Sequence, residues 1–386
     1  MRRPRIARAW PALLVIAAAL LACDKDKDVE PPATLVPFDA RLAVERVWSA
    51  SLGGKDRRLR LGLAPAVADN RVYAAGDGGV VEAFDAVSGR SVWRAQTKLA
   101  LAGGPAAGNG LVLVGSSDGQ LLALDAASGR TRWLVRLTGE VLAAPAIAPQ
   151  AVIARTVDGR VRALAPDTGK ELWSNEQQVP RLTLRGVSRP VLAGDTVICG
   201  FDNGKVAAYA VQNGDVLWET AVSPPRGKTE LERLVDIDGA LAVSGHDVFV
   251  AGFQGRVAMV ALDSGQVWWS REASSYRGIA LAGETLYMTT ADSMVMALRR
   301  RDGTPLWQQD RLARRGLTAP ALDGEALVVV DFEGFLHWID QGSGALLGRY
   351  ALGKTRVTNA PVAAYGLVFV QNDAGQLYAL RAHPRK

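Results

Sequence analysis

Residues 122–133 read LALDAASGRTRW, and variants of this phrase return along the whole chain. They are EAFDAVSGRSVW (82–93), RALAPDTGKELW (162–173), AAYAVQNGDVLW (207–218), MVALDSGQVWW (259–269), MALRRRDGTPLW (296–307) and HWIDQGSGALLG (337–348). The turn glycines Gly89, Gly129, Gly169, Gly214, Gly265, Gly303 and Gly344 are spaced 40, 40, 45, 51, 38 and 41 residues apart. Ten positions before each lies a second turn residue: Gly79, Gly119, Gly159, Gly204, Gly255, Ser293 and Gly334. In the second unit Pro105-Ala106-Ala107 opens one strand and Leu111 to Val114 is the next. Asp118-Gly119 is a hairpin turn, Gln120 to Leu124 the third strand, and Thr131 to Val135, after Ser128-Gly129, the fourth. Glycine serves such turns because they need positive φ. Four short strands per ~40–45 residues is the period of a β-propeller blade. No sustained 3.6-residue apolar period competes with it.

An eighth unit begins at Pro361 and runs through Leu367–Val370, Gly375 and Leu377–Leu380, but the chain ends before its fourth strand and tryptophan. A strand with that tryptophan stands alone at the other end, Glu45-Arg46-Val47-Trp48. We therefore expect an all-β, eight-bladed propeller with four-stranded antiparallel blades, its last blade closed by the strand near Trp48. Closure removes the free sheet edges of an open array. Trp48, Trp93, Trp133, Trp173, Trp218, Trp269 and Trp307 are expected to pack between blades rather than to form a ligand platform. Gly348 takes the tryptophan position of the seventh unit, so a weaker contact is expected there.

The rest of the chain bounds the function. Of 45 basic residues, Arg2, Arg3, Arg5 and Arg8 stand in the first 22, leaving 41 against 39 acidic, a balance of +2. No basic stripe remains; Arg299-Arg300-Arg301 and Arg314-Arg315 read as turn faces, which excludes nucleic acid as the expected partner. Four arginines, the apolar run Pro11–Leu21 and then Ala22-Cys23 make a signal peptide over 1–22. Leu20-Leu21-Ala22-Cys23 resembles the bacterial lipobox, so Cys23 is the expected lipidation site. Residues 23–40 read as a flexible tether, and 41–386 as one propeller domain. Acyl chains on one end anchor a protein while its body stays in water. Asp24 leaves retention in the inner membrane open.

The repeat resembles that of the pyrroloquinoline-quinone enzyme propellers over roughly residues 45–381, which implies fold alone. A narrower set of segments is similar to the BamB family, lipoproteins of the machinery that assembles outer-membrane β-barrels. These are Leu182-Thr183-Leu184-Arg185-Gly186, Thr229 to Asp238, and Glu333 to Ile339. That resemblance implies a non-enzymatic scaffold on the outer membrane that binds the periplasmic POTRA domains of BamA, with unfolded outer-membrane proteins as a further partner and no small-molecule substrate. It implies no cofactor and no metal. It also implies that Leu182, Leu184, Arg185, Asp236 and Asp238 bind the partner.

The spacing bears on those residues independently. The links from Trp173 to Pro190 and from Trp218 to about Leu241 span 17 and 23 positions, against 12 or 13 in most blades. Both are blade crossings and fall on one face, where extra loop length on a rigid scaffold usually carries binding. Exposed leucines ringed by an arginine and two carboxylates would form an apolar centre with a charged rim. The alternative is that the leucines pack beneath their own loop and Arg185 pairs internally with Asp236 or Asp238.

Two rival classes follow from the same residues. A quinone-dependent dehydrogenase would need calcium ligands and often a vicinal cysteine pair. Here Cys199 is the one cysteine after Cys23, and it lies in an apolar strand. His246-Asp247 with Ser244 forms no hydrolase motif, and His337 reads as a packed side chain. The other rival is a signalling propeller on the inner membrane, which Asp24 would permit.

Overall fold

The computed structural model describes residues 30–54, 61–184, 186 and 188–385. Cys23, the signal peptide, the first residues of the tether and Arg185 lie outside the described residues. The described residues form eight four-stranded antiparallel sheets. They are the blades of a propeller, spanning 66–96, 101–136, 146–176, 191–221, 242–272, 279–309, 321–351 and 362–384. Among these residues no helix is long and apolar enough to cross a membrane.

The strand Leu42–Ser51 completes the eighth blade, pairing antiparallel with Gln376–Pro384 from Leu42↔Pro384 to Ser51↔Gln376. Closure near Trp48 is therefore as the repeat arithmetic requires. Its physical seal is the indole of Trp48, which donates to Ala86 O of the first blade at 3.0 Å. The ring packs beside Phe84 and Phe369, 5.8 and 5.9 Å away.

That seal is the general joint between blades, and it explains why glycine and tryptophan recur together. Trp93 donates to Ala126 O, Trp173 to Val211 O, Trp269 to Arg300 O and Trp307 to Gln341 O, at 2.8–2.9 Å. Each acceptor lies three residues before the turn glycine of the following blade. That glycine rests on the same indole: at Gly129, φ is +71° and an added Cβ would stand 2.5 Å from Trp93. Both the left-handed backbone and the contact therefore demand glycine there. Ser293, the exception among the second turn residues, does adopt positive φ (65°) and accepts a bond from Leu317 N at 3.2 Å.

The seventh blade departs from the expected weakness. In most other blades the residue paired with tryptophan on the third strand is alanine: Ala83, Ala123, Ala163, Ala208 and Ala297. In the seventh, Trp338 on the third strand faces Gly348 on the fourth. Paired residues point to one side of a sheet, so the large and small partners have exchanged strands and the indole still fills the joint. Trp338 is fully buried in the cluster with Val357, Val368, Val370 and Leu380. Its indole N–H donates to Asp323 Oδ2 at 2.8 Å.

Residues 30–40, expected as part of the tether, are instead docked on the sixth and seventh blades. Ala33 N donates to Ala313 O at 3.0 Å, and Arg315 Nη1 donates to Ala33 O at 3.0 Å. Arg349 donates to Val36 O and lies 5.1 Å from the centre of the Phe38 ring. Leu35 and Phe38 pack on the apolar core between these blades. Behind the strap His337 is fully buried, with Nε2 3.1 Å from Asp331 and Nδ1 3.4 Å from Arg349 Nε. Burial keeps its pKa below the ordinary histidine value, so it is the packed side chain expected.

Candidate functional site: the crossing loops of the third, fourth and fifth blades

The two long crossings join Glu171–Glu176 to Val191–Ala193 and Val216–Ala221 to Ala242–Ser244. They enter the fourth blade and leave it on the same face. Leu182 is 42% exposed and Leu184 half-buried. On the second loop Thr229 and Glu232 cap a single turn: Lys228 N and Thr229 N donate to Glu232 Oε2, and Glu232 N to Thr229 Oγ1. That turn lifts Leu231 into solvent at 63% exposure. Sequence reasoning missed Leu231. The signal available was the T-x-x-E capping pattern of Thr229 and Glu232, which places the intervening leucine on a turn rather than in a strand.

The carboxylates are not the charged rim expected. Asp236 is fully buried and Asp238 only 6% exposed. The reason lies in the loop's own backbone: a segment leaving the sheet has N–H groups without ladder partners, and these need acceptors. Leu184 N donates to Asp236 Oδ2 across 52 positions of sequence. Ser188 Oγ donates to Gly239 O at 3.1 Å. Gly186 lies against Asp238, so close that an added Cβ would collide with its carboxylate. The second crossing is thus the floor on which the first is laid. Of the expected set, the structure brings Leu184, Asp236 and Asp238 together, with Leu182 on the outer side.

Beneath this floor is a charged group that the sequence did not disclose. Arg155 of the third blade, fully buried, donates from Nη2 to Asp202 Oδ1 at 2.7 Å and lies 4.9 Å from the centre of the Phe201 ring. Its one signal was an arginine ending the apolar strand Val152–Arg155. Burial, then Asp238 and Asp202, push the Asp236 carboxyl up to about 8, against the opposing pull of the Leu184 N–H and Arg155.

A carboxyl raised above its unfolded value of 3.8 binds its proton more tightly in the folded state. Its stabilising contribution is complete below that value and is lost as pH climbs through about 8. Asp236→Asn keeps the shape and removes the titration. Urea midpoints of this variant are expected to vary less than wild type between pH 5 and pH 9, and to exceed wild type at pH 9. Parallel pH profiles for the two proteins would refute the assignment.

The residues that a catalytic reading would use are dispersed. Cys199 is fully buried in the fourth blade, and burial pushes its thiol up to about 12. His246 pairs with Asp263 at 3.0 Å on the surface, while Asp247 pairs with Arg300 at 2.9 Å.

Comparison with known proteins agrees with this architecture. The sequence profile described as outer membrane protein assembly factor BamB matches residues 34–98, 76–309 and 301–385. The outer membrane protein assembly factor BamB of Pseudomonas aeruginosa is 41% identical over 369 residues, 95% of this chain and 97% of that protein. Its counterpart in Marinobacter adhaerens is 48% identical over 373 residues, 96% of each chain. The crystal structure of BamB from Moraxella catarrhalis superposes with a TM-score of 0.80 at 26% identity, covering 88% of this chain and 100% of that one. A quinohemoprotein alcohol dehydrogenase from Comamonas testosteroni shares the fold alone, with a TM-score of 0.69 at 13% identity, over 87% of this chain and 76% of that one. The blade arithmetic, the closing strand and the full-length match together make this chain a member of the BamB family.

Proposed function

We propose that this protein is a non-catalytic scaffold of the outer-membrane β-barrel assembly machinery, held by a lipidated Cys23 on the periplasmic face of the outer membrane. Its crossing loops dock on the POTRA domains of BamA. The observation that carries this reading is the pair of long loops around the fourth blade, each presenting an exposed leucine, Leu182 and Leu231, on one face of a closed scaffold. Apolar side chains held on a supported loop suit a docking surface, because little freedom remains to be lost on binding.

The roles divide by burial. Leu182 and Leu184 touch the partner, as does Leu231 on the other long crossing, while Asp236 and Asp238 position the loop from below. Arg185, outside the described residues, is assigned to the partner contact from its place in the sequence next to Leu184. Replacing Leu184 and Arg185 together is expected to abolish co-purification of BamA while the melting curve stays unchanged. The loss should exceed ~30-fold in affinity, the scale of a central interface anchor. Undiminished capture of BamA by the folded double variant would remove this face as the docking site.

A further inference from the structure

The eight innermost strands surround a channel of about 780 Å³ on the propeller axis. Its wall is built for emptiness. Pro65, Pro105, Pro145, Pro190 and Pro361 line it, so the inner strand edges present few N–H donors there. Five residues before the inner hairpin turn of each blade, the side chain is reduced to alanine or glycine in every other blade, Ala64, Ala144 and Ala319 among them. In the fourth blade that position is Arg189, and it lines the channel.

A single long cation in a ring of small residues is not explained by packing, since alanine serves elsewhere. Nor is it explained by pairing: Arg189 has no ion pair or hydrogen bond among the described residues. Arg189 is exposed to the open channel, and the protein crowded around it lowers the pKa of the guanidinium by partial desolvation. The other charges in the wall are Arg277 and Asp238. Arg277 is 7% exposed, donates to Thr358 O at 3.2 Å and lies 4.5 Å from the centre of the Tyr276 ring. Asp238 is the carboxylate already placed under the 186 loop. The wall therefore carries one net positive charge, in a space large enough for a small molecule.

We propose that the channel is a binding site for a compact oxyanion, a carboxylate or a phosphate, received by Arg189. The planar guanidinium fork matches both groups in two parallel hydrogen bonds. Arg189 ends the first crossing, and Gly186 and Asp238 line the channel, so the site adjoins the docking loops. Binding of a small oxyanion is read without the partner, so its failure is seen apart from failure of the docking reading.

The test is calorimetric titration of the purified chain with succinate and, separately, with inorganic phosphate. Saturable one-to-one binding of either is expected, weakened tenfold or more by Arg189→Ala and partly kept by Arg189→Lys. Arg189→Ala installs the residue that other blades carry, so the fold should hold, as an unchanged melting temperature would verify. Arg94→Ala, which removes an arginine from the outer strand of the first blade, should leave binding intact. Succinate binding alone assigns a carboxylate ligand, phosphate binding alone a phosphate. No saturable binding of either, or binding that Arg189→Ala does not weaken, overturns the proposal.

Discussion

A chain that begins at Leu52 is expected to lose its cooperative thermal transition and to aggregate, although it retains seven complete blades. Removing Leu42–Ser51 leaves the strand Gln376–Pro384 as an open edge, a ready template for pairing with other chains. It also uncovers two joints at once. Val47 and Trp48 pack against Leu52, Phe84, Phe369 and Ala379 on one side, while Leu42 and Val44 pack against Trp338, Val368 and Val370 on the other. Partial burial of these four side chains contributes roughly 6 kcal/mol at about 1–2 kcal/mol each. That is of the order of a domain's whole net stability, about 5–15 kcal/mol. A chain that begins at Arg41 lacks the strap but keeps the strand, and should melt cooperatively. Adding a synthetic peptide of residues 41–52 to the shorter chain should restore the transition. A sharp, concentration-independent melt of the shorter chain alone would show that the ring does not depend on closure.

Trp338→Ala is the single substitution expected to cost most, about 3–5 kcal/mol in urea unfolding, the range for deleting a large buried aromatic. The upper end applies for two reasons. Gly348 stands opposite, so no paired side chain can fall into the space, and Leu42 already occupies the volume beside it. Asp323 Oδ2 also loses its indole donor. Adding Gly348→Trp should restore at most part of the loss, because an added Cβ at 348 already stands 3.2 Å from Leu42, which packs on the same cluster. A cost below about 1 kcal/mol would mean that the seventh joint is as weak as its missing fourth-strand tryptophan implied.

The blade count, closure and the inter-blade role of the tryptophans were legible because each rests on repetition. A turn that needs positive φ and an indole that rests on that turn must recur at a fixed offset, and seven copies make the offset visible. The exchange at Trp338 and Gly348 was not legible, since it conserves the volume of a pair across two strands and appears as a defect in either strand alone. The strap over 30–40 was hidden for a related reason. Its proline-rich composition is that of a linker, and what holds it is a set of arginines, Arg314, Arg315 and Arg349, some three hundred positions away.

At the candidate site the division is sharper. That two long crossings flank the fourth blade is a matter of counting, and the sequence alone determined it, as it did the ring, its closing strand and its family. Which loop residues face solvent and which are buried was decided only by the tertiary structure. The backbone of the first crossing needed an acceptor that its own strands do not supply, and Asp236 of the second was drawn inward to provide it, with Asp238 buried against Gly186 beside it. Hydrogen-bond demand between segments distant in sequence has no period and no spacing, so it becomes visible only once the chain has closed upon itself.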